Sequence, residues 1–136
     1  MIKVSIIIPL YNSEAYIAQT IDSCLAQTHD NIEIIVIENG SKDQGYQVVK
    51  SIDDKRLSVF QIPTPNAAAA RNYGYHKATG TYIIFLDADD VMASNKIKLQ
   101  LKALSAKPEG WIASCAWAKF KTNTKEAIIT PQKVWN

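Results

Sequence analysis

The segment Asp87-Ala88-Asp89-Asp90 sets three carboxylates in four positions, directly behind the apolar run Tyr82-Ile83-Ile84-Phe85-Leu86. Carboxylate oxygens are hard ligands, and one or two of them can hold a divalent cation that also takes phosphate oxygens and water. If the chain stays extended past Leu86, Asp87 and Asp89 share a face and Asp90 points elsewhere, because alternate strand residues point the same way. Taken alone, such a segment is more simply a solvated acidic loop. Three further groups stand in comparable settings. Tyr11 and Asn39 each follow an apolar run, and Arg71 follows four successive alanines. An aromatic face can stack a base. An amide can donate and accept toward a base edge.

Elements of two kinds must position these groups. Val4–Leu10 is a continuous apolar strand, and Pro9 should stop its pairing. Ser13 suits the N-cap of a first helix, with Ile17, Ile21, Cys24 and Leu25 at helical spacing. Residues 32–37 form a second buried strand ending in Glu38-Asn39-Gly40. Ser41-Lys42-Asp43-Gln44 has capping-box form ahead of a helix carrying Val48, Val49 and Ile52. Residues 57–62 read as a third strand, more polar and so nearer an edge. Ala67–Lys77 reads as a third helix, with Gly80 as its terminating glycine. The run before Asp87 reads as a strand covered on both faces. A fourth helix is expected over residues 94–106, with Ile97, Leu101 and Leu104 on one face. A strand over 111–120, a turn over 122–125 and a short returning strand over 127–129 would form a C-terminal hairpin. The order predicts an α/β fold: a mostly parallel, Rossmann-like sheet flanked by helices, with right-handed crossovers. Ligands of such sheets bind at the carboxyl ends of the strands. Tyr11, Asn39 and the acidic segment all follow strands, so they share that edge. Arg71 joins them if the third helix starts there.

Composition narrows the function. The chain has 136 residues, enough for one domain with a real core. A net charge of +2 is too small to argue for nucleic acid. Cys24 and Cys115 are far apart in apolar settings, which favours two buried reduced thiols, and no Cys-x-x-Cys pattern suggests a metal. No apolar run reaches membrane-spanning length, and Met1-Ile2-Lys3 leads straight into a strand without a leader. The expectation is a cytoplasmic protein, lying at the inner face of the membrane if it belongs to a longer enzyme. No Gly-x-Gly-x-x-Gly follows the first strand and no Gly-Lys-Ser/Thr loop exists, which argues against dinucleotide oxidoreductases and P-loop enzymes. A phosphate would then be held through a metal. His29 and His76 sit in polar context and read as surface residues. Trp111, Trp117 and Trp135 read as core or interface residues.

Five segments in order resemble the family 2 inverting glycosyltransferases of GT-A fold. They are Val4-Ser5-Ile6-Ile7-Ile8-Pro9-Leu10-Tyr11-Asn12-Ser13-Glu14, Gln27-Thr28 with Glu33 through Asp43, Ala70-Arg71-Asn72-Tyr73-Gly74, Ala78-Thr79-Gly80, and Phe85-Leu86-Asp87-Ala88-Asp89-Asp90. The resemblance runs in register from residue 4 to about residue 105. It implies that Pro9 and Tyr11 flank a base, that Glu38 lies in the nucleotide site, that Asn39 and Arg71 touch the base edge, that Asp87 meets the ribose and that Asp89 binds Mg²⁺ or Mn²⁺. The implied partners are a nucleoside diphosphate sugar, a UDP-sugar foremost, and a glycan or glycolipid acceptor of undefined identity. Surface polysaccharide synthesis is the implied setting. A homo-oligomer is left open.

The chain departs from the family pattern in three places. Glu38-Asn39 stands where two aspartates are usual, and the second aspartate normally accepts from a uracil N–H. Asn39 can accept but also brings a donor. Asn66 stands where a glycine is usual, and asparagine is the side chain that best tolerates positive φ. The acceptor-binding part and the carboxylate base of the family lie beyond the hairpin, so no catalytic residue is assigned here. Residues 1–136 therefore read as a single donor-binding domain of a longer enzyme. Two alternatives stand beside this one. A nucleotidyltransferase would want a basic, glycine-rich loop where Tyr11-Asn12-Ser13-Glu14 stands. A non-catalytic module that binds nucleotide sugars would need no base.

Overall fold

The computed structural model describes residues 1–107, 110–120, 125 and 127–130. They fall into two units, Met1–Asn95 and the residues from Lys96 onward. In the first unit the order is β1 (Val4–Leu10), α1 (Ile17–Leu25), β2 (Ile32–Glu38), α2 (Gly45–Lys50), β3 (Leu57–Gln61), α3 (Ala67–Lys77) and β4 (Tyr82–Phe85). The four strands pair in parallel in the order β3-β2-β1-β4. β1 and β2 therefore lie inside the sheet, and every residue of β1 is buried. Their β-branched runs leave no polar face because helices cover both sides of a parallel sheet. The polar β3 lies at the edge, as its composition predicts.

α3 packs on β1 and β2 at close range, and Gly74 makes this possible. A Cβ there would overlap Ile7 Cγ2 and lie 3.3 Å from Ile37 Cγ1. Phe60, Ile62, Tyr73 and Ala78 close over Ile35, Ile37 and Ala70 on the same side. Lys77 Nζ lies 5.3 Å from the Phe60 ring centroid and 5.4 Å from that of Tyr73, a cation–π contact that draws the ammonium over the apolar layer.

Several local expectations are corrected. β4 is not covered on both faces: Phe85 is 51% exposed, and among the described residues the strand pairs with β1 alone. Ser13 does not cap α1. The helix starts at Ile17, one turn later, while the Ser13 hydroxyl donates to Tyr11 O at 3.0 Å. Ser41 and Gln44 form no capping box, because Ser41 Oγ accepts from Asn12 N–H and Gln44 N–H donates to Glu14. Gly80 does not close α3 with a left-handed turn. It lies against Ser5, where a Cβ would meet the backbone nitrogen at 2.7 Å, and its own N–H donates to Ser5 Oγ at 2.8 Å.

That contact belongs to a polar cluster at the amino ends of the strands. Glu33 accepts from Ser5 Oγ, from Lys3 Nζ at 2.6 Å and from Thr79 N–H at 2.7 Å. Burial alone would raise the Glu33 carboxyl, but the hydrogen bonds from Lys3, Ser5 and Thr79 outweigh it and hold the pKa at about 2.

The second unit contains α4 (Lys96–Leu104) and the antiparallel pair β5 (Trp117–Lys119) and β6 (Ile128–Thr130). β5 is far shorter than the strand expected over 111–120. Ile97 is buried and Lys98 and Lys102 are exposed, as the helical spacing predicts. Cys115 is exposed rather than buried, while Cys24 lies in the core. Trp111 is likewise exposed, with Lys107 Nζ 4.7 Å from its ring centroid. Residues 122–124 of the expected turn and Trp135 lie outside the described residues. Among the described residues, no helix is long and apolar enough to cross a membrane.

Candidate functional site

β2, β1 and β4 are adjacent and parallel, so their carboxyl ends open onto one edge of the sheet. Leu10 pairs with Glu38 in register, which brings the residues after β1 beside those after β2. β4 stops at the level of Ile7, and Leu86 N–H still donates to Ile7 O at 3.0 Å. The acidic segment therefore emerges alongside the last residues of β1.

There the chain does not stay extended. Asp90 N–H donates to Asp87 O at 3.1 Å, closing a turn across Ala88-Asp89. The strand alternation expected for Asp87 and Asp89 does not apply. The cause lies in α1. Ala88 is buried, and its carbonyl accepts from the buried Thr20 hydroxyl at 2.9 Å. Ser23 Oγ accepts from Met92 N–H at 3.1 Å, and Gln27 Nε2 donates to Ala93 O at 2.8 Å. Thr20 and Ser23 of α1, with Gln27 just past its end, follow one another at helical spacing, so one seam fixes the backbone from Ala88 to Ala93. Sequence reading missed this seam as a positioning device. Its signal was a row of small polar residues running beside the apolar positions Ile17, Ile21 and Cys24.

Fixing the backbone inward turns the carboxylates outward, and Asp87, Asp89 and Asp90 are all exposed. Arg71, in the second turn of α3, reaches Asp87 with Nη2 to Oδ1 at 2.7 Å. The pair is partly exposed, so its value lies in orientation more than in stability. α3 begins at the same edge, as expected, with Asn66 Oδ1 capping Ala69 N–H at 3.0 Å. Asn66 has extended backbone at φ −142°, so this position needs no glycine.

The loops after β1 and β2 are laced together. Asn12 has φ +48°, and its Oδ1 accepts from Lys42 N–H at 2.8 Å. Asn12 N–H donates to Ser41 Oγ at 3.1 Å. Glu14 N–H donates to Asp43 Oδ2 at 2.8 Å, and Gln44 N–H returns to Glu14 Oε2 at 2.7 Å. Tyr11, 44% exposed, stands at the root of this double loop.

Pro9, Glu38 and Asn39 lie beneath it, buried. Glu38 accepts from Ser41 N–H and from Gln61 Nε2, rather than pairing with a lysine. Asn39 is 2% exposed. Assigned from its partners, its amide directs nitrogen toward Leu10 O and oxygen toward Asn66 N–H, 3.2 Å away. The edge thus presents Tyr11, Arg71, Asp87, Asp89 and Asp90 to solvent and keeps Pro9, Glu38 and Asn39 below.

No group of three or more His, Cys, Asp or Glu among the described residues converges as a metal cage. Exposed carboxylates on a fixed turn suit Mg²⁺ or Mn²⁺ instead, since such ions keep several water or phosphate ligands and need only one or two carboxylates from protein. Asp89 with a neighbouring aspartate fits that donor set. A shallow depression beside β3, lined by Val49, Ile52, Leu57 and Phe60, lies on the other edge strand and has no part in this chemistry.

A family model described as Glycosyl transferase family 2 matches residues 5–133. An uncharacterised glycosyltransferase of Haemophilus influenzae is 48% identical over 101 residues, covering 72% of this chain and 40% of that protein. The glycosyltransferase GlyA of Streptococcus pneumoniae is 34% identical over 104 residues, 75% of this chain and 15% of its own length. Among solved structures, S. aureus TarS (residues 1–349) in complex with UDP superposes with a TM-score of 0.68 at 31% identity, over 75% of this chain and 32% of that 1–349 chain. The mannosyltransferase PcManGT of Pyrobaculum calidifontis, in complex with GDP-Man and Mn²⁺, gives a TM-score of 0.71 at 25% identity, over 76% of this chain and 32% of its own. The chain therefore spans well under half the length of each of these proteins.

Proposed function

Since the chain belongs to glycosyl transferase family 2 and has the GT-A fold, we propose that it is the donor-binding part of an inverting, metal-dependent glycosyltransferase. One observation carries this reading: Arg71 pairs with Asp87 at 2.7 Å beside the exposed Asp89, on the edge where the strands of a parallel sheet end. A nucleoside diphosphate sugar binds there, with UDP-sugars the first candidates, because TarS is solved with UDP and UDP-GlcNAc.

Each residue has a role its chemistry allows. Tyr11 stacks the base above the segment from Pro9, and Arg71 reaches its edge. A carboxylate has two oxygens, so Asp87 can accept a ribose hydroxyl while Arg71 keeps the other. Glu38 and Asn39 form the floor that fixes the two loops. Asp89, with help from a neighbouring aspartate, would hold Mg²⁺ or Mn²⁺, which would supply positive charge beside the departing diphosphate. The acceptor hydroxyl gives its proton to a carboxylate outside residues 1–136 and attacks the anomeric carbon opposite the departing diphosphate, which inverts configuration. An acceptor in glycan or glycolipid assembly fits this reading, and so does a site of action at the inner face of the membrane.

Calorimetric titration of the chain with UDP, GDP, CDP and dTDP, with and without Mn²⁺, tests the reading. At least one diphosphate should bind, and EDTA should weaken it. The 136-residue chain alone should transfer no sugar. Binding of no diphosphate, or binding indifferent to metal, would remove the proposal.

A further inference from the structure

Asn39 is the one residue of the candidate nucleotide set whose side-chain ends both meet the protein's own backbone. Its nitrogen meets Leu10 O and its oxygen meets Asn66 N–H at 3.2 Å. Leu10 O also accepts from Asn39 N–H at 3.0 Å and lies 3.5 Å from Ser41 Oγ, and Asn66 N–H is shared with Thr64 O at 2.8 Å. Gly40, at the positive φ of +84°, turns the chain beneath the Pro63–Pro65 loop, with Pro63 O 3.4 Å from where a Cβ would sit. With 2% of its surface exposed, Asn39 has neither a free polar atom nor an open path to a ligand.

We propose that Asn39 is a positioning residue that clamps the end of β1 to the start of α3, and so does not read the base. The inference rests on the nucleotide-binding reading above for its consequence, but not for the clamp itself. Leu10 O takes a donor and Asn66 N–H gives one, so an amide meets both ends, and a carboxylate, which only accepts, fails at the Leu10 end. A carboxylate would set oxygen against oxygen at Leu10 in a buried site, which is costly enough to drive it outward. The clamp also aims Arg71, because Asn66 is the N-cap of the helix that carries it.

The consequence concerns the choice of base. Uracil presents a ring N–H where cytosine presents a bare ring nitrogen. A carboxylate in the cleft separates the two, and a withdrawn amide does not. Whatever ratio of UDP to CDP affinity the wild-type chain shows should therefore survive in Asn39→Ala within about threefold. Asn39→Asp, with its carboxylate expelled into the cleft, should raise the preference for UDP over CDP by about tenfold or more relative to wild type.

Two measurements decide this. The first uses the ligand-free wild-type protein and needs no variant: NMR exchange of the Asn39 side-chain amide. One slow proton on Nδ2 supports the clamp, and two fast, equivalent protons overturn it. The second is calorimetry of UDP and CDP with Mn²⁺ on wild type, Asn39→Asp and Asn39→Ala. A wild-type preference for UDP of about tenfold or more that Asn39→Ala erases would mean that Asn39 reads the base, and the proposal falls. If neither diphosphate binds, the nucleotide reading fails while the exchange result still decides the clamp.

Discussion

The Thr20 hydroxyl donates to Ala88 O at 2.9 Å, both groups buried, and so ties the middle of the first helix to the centre of the acidic turn. Asp87 and Asp89 flank the carbonyl that is held. Thr20→Val keeps the shape and leaves that carbonyl without its donor, at a cost of about 1–3 kcal/mol. The variant should also lose part of the Mn²⁺-dependent stabilisation by UDP or GDP, and Thr20→Ser should restore it. Thermal melts with and without ligand measure both effects. Equal ligand shifts in Thr20→Val and wild type would show that the turn holds its form unaided.

Asp89→Ala should abolish the Mn²⁺-dependent part of diphosphate binding, because an exposed turn with one fewer carboxylate holds a dication poorly. Asp90→Ala, at the neighbouring exposed position, is its control. The turn across Ala88-Asp89 replaces strand alternation as the local geometry, so the pair of variants is a direct comparison of the two positions. A melting shift that survives in Asp89→Ala and disappears in Asp90→Ala would give the metal to Asp90.

Gly74→Ala inserts a methyl group against Ile7 and Ile37. Overpacking of this kind costs about 1–3 kcal/mol, since helix and sheet must separate. Chemical denaturation should show a lower midpoint with an unchanged slope. An unaltered midpoint would mean that α3 can shift freely on the sheet.

Acid should weaken the first unit through Glu33. Its carboxyl titrates at about 2 in the folded protein and near 4.5 without these partners. A depressed carboxylate stabilises fully above the unfolded value, and that stability is lost as pH falls from 4.5 toward 2. The contribution at neutral pH is at most about 3 kcal/mol. Asp54, held at about 2 by hydrogen bonds from Arg56, loses stability in the same range. Denaturation of wild type and Glu33→Gln across pH 2–7 separates the two. The gap between them should close below the unfolded value, and a constant gap would exclude a charged Glu33 as its source.

Sequence periodicity sufficed for the sheet because its signals are local and strong. The β-branched runs of β1 and β2, the polar β3 and the alanine-led α3 each carry their own instruction, and α3 begins and ends where its composition says. The helix starts of α1 and α2 were misread because Ser13, Ser41 and Gln44 had a choice of partners. Ser13 turned back to Tyr11 O, while Ser41 and Gln44 bonded across the Asn12–Lys42 junction, which no window of neighbouring residues contains. Gly80 was read as a turn residue when its need is space beside Ser5, 75 positions away. Asn39 was visible as a departure, yet its burial depends on the loop that ends at Asn66. Motif order located the acidic turn but not its curvature, which comes from Thr20.

The lacing of the two loops has a consequence for motion and for change over evolutionary time. The Asn12 and Glu14 side chains accept from the Lys42 and Gln44 backbones, and Ser41 and Asp43 accept from the backbones of Asn12 and Glu14, so neither loop can lift without breaking the other's contacts. The two should open as one cooperative unit, with a common free energy in native-state hydrogen exchange at Asn12, Glu14, Lys42 and Gln44. A residue inserted in either loop shifts the register of both, so length in one can drift only when the other compensates. Tyr11 is carried by that unit. Whatever binds against its ring therefore meets a surface with a single hinge in place of two independent flaps.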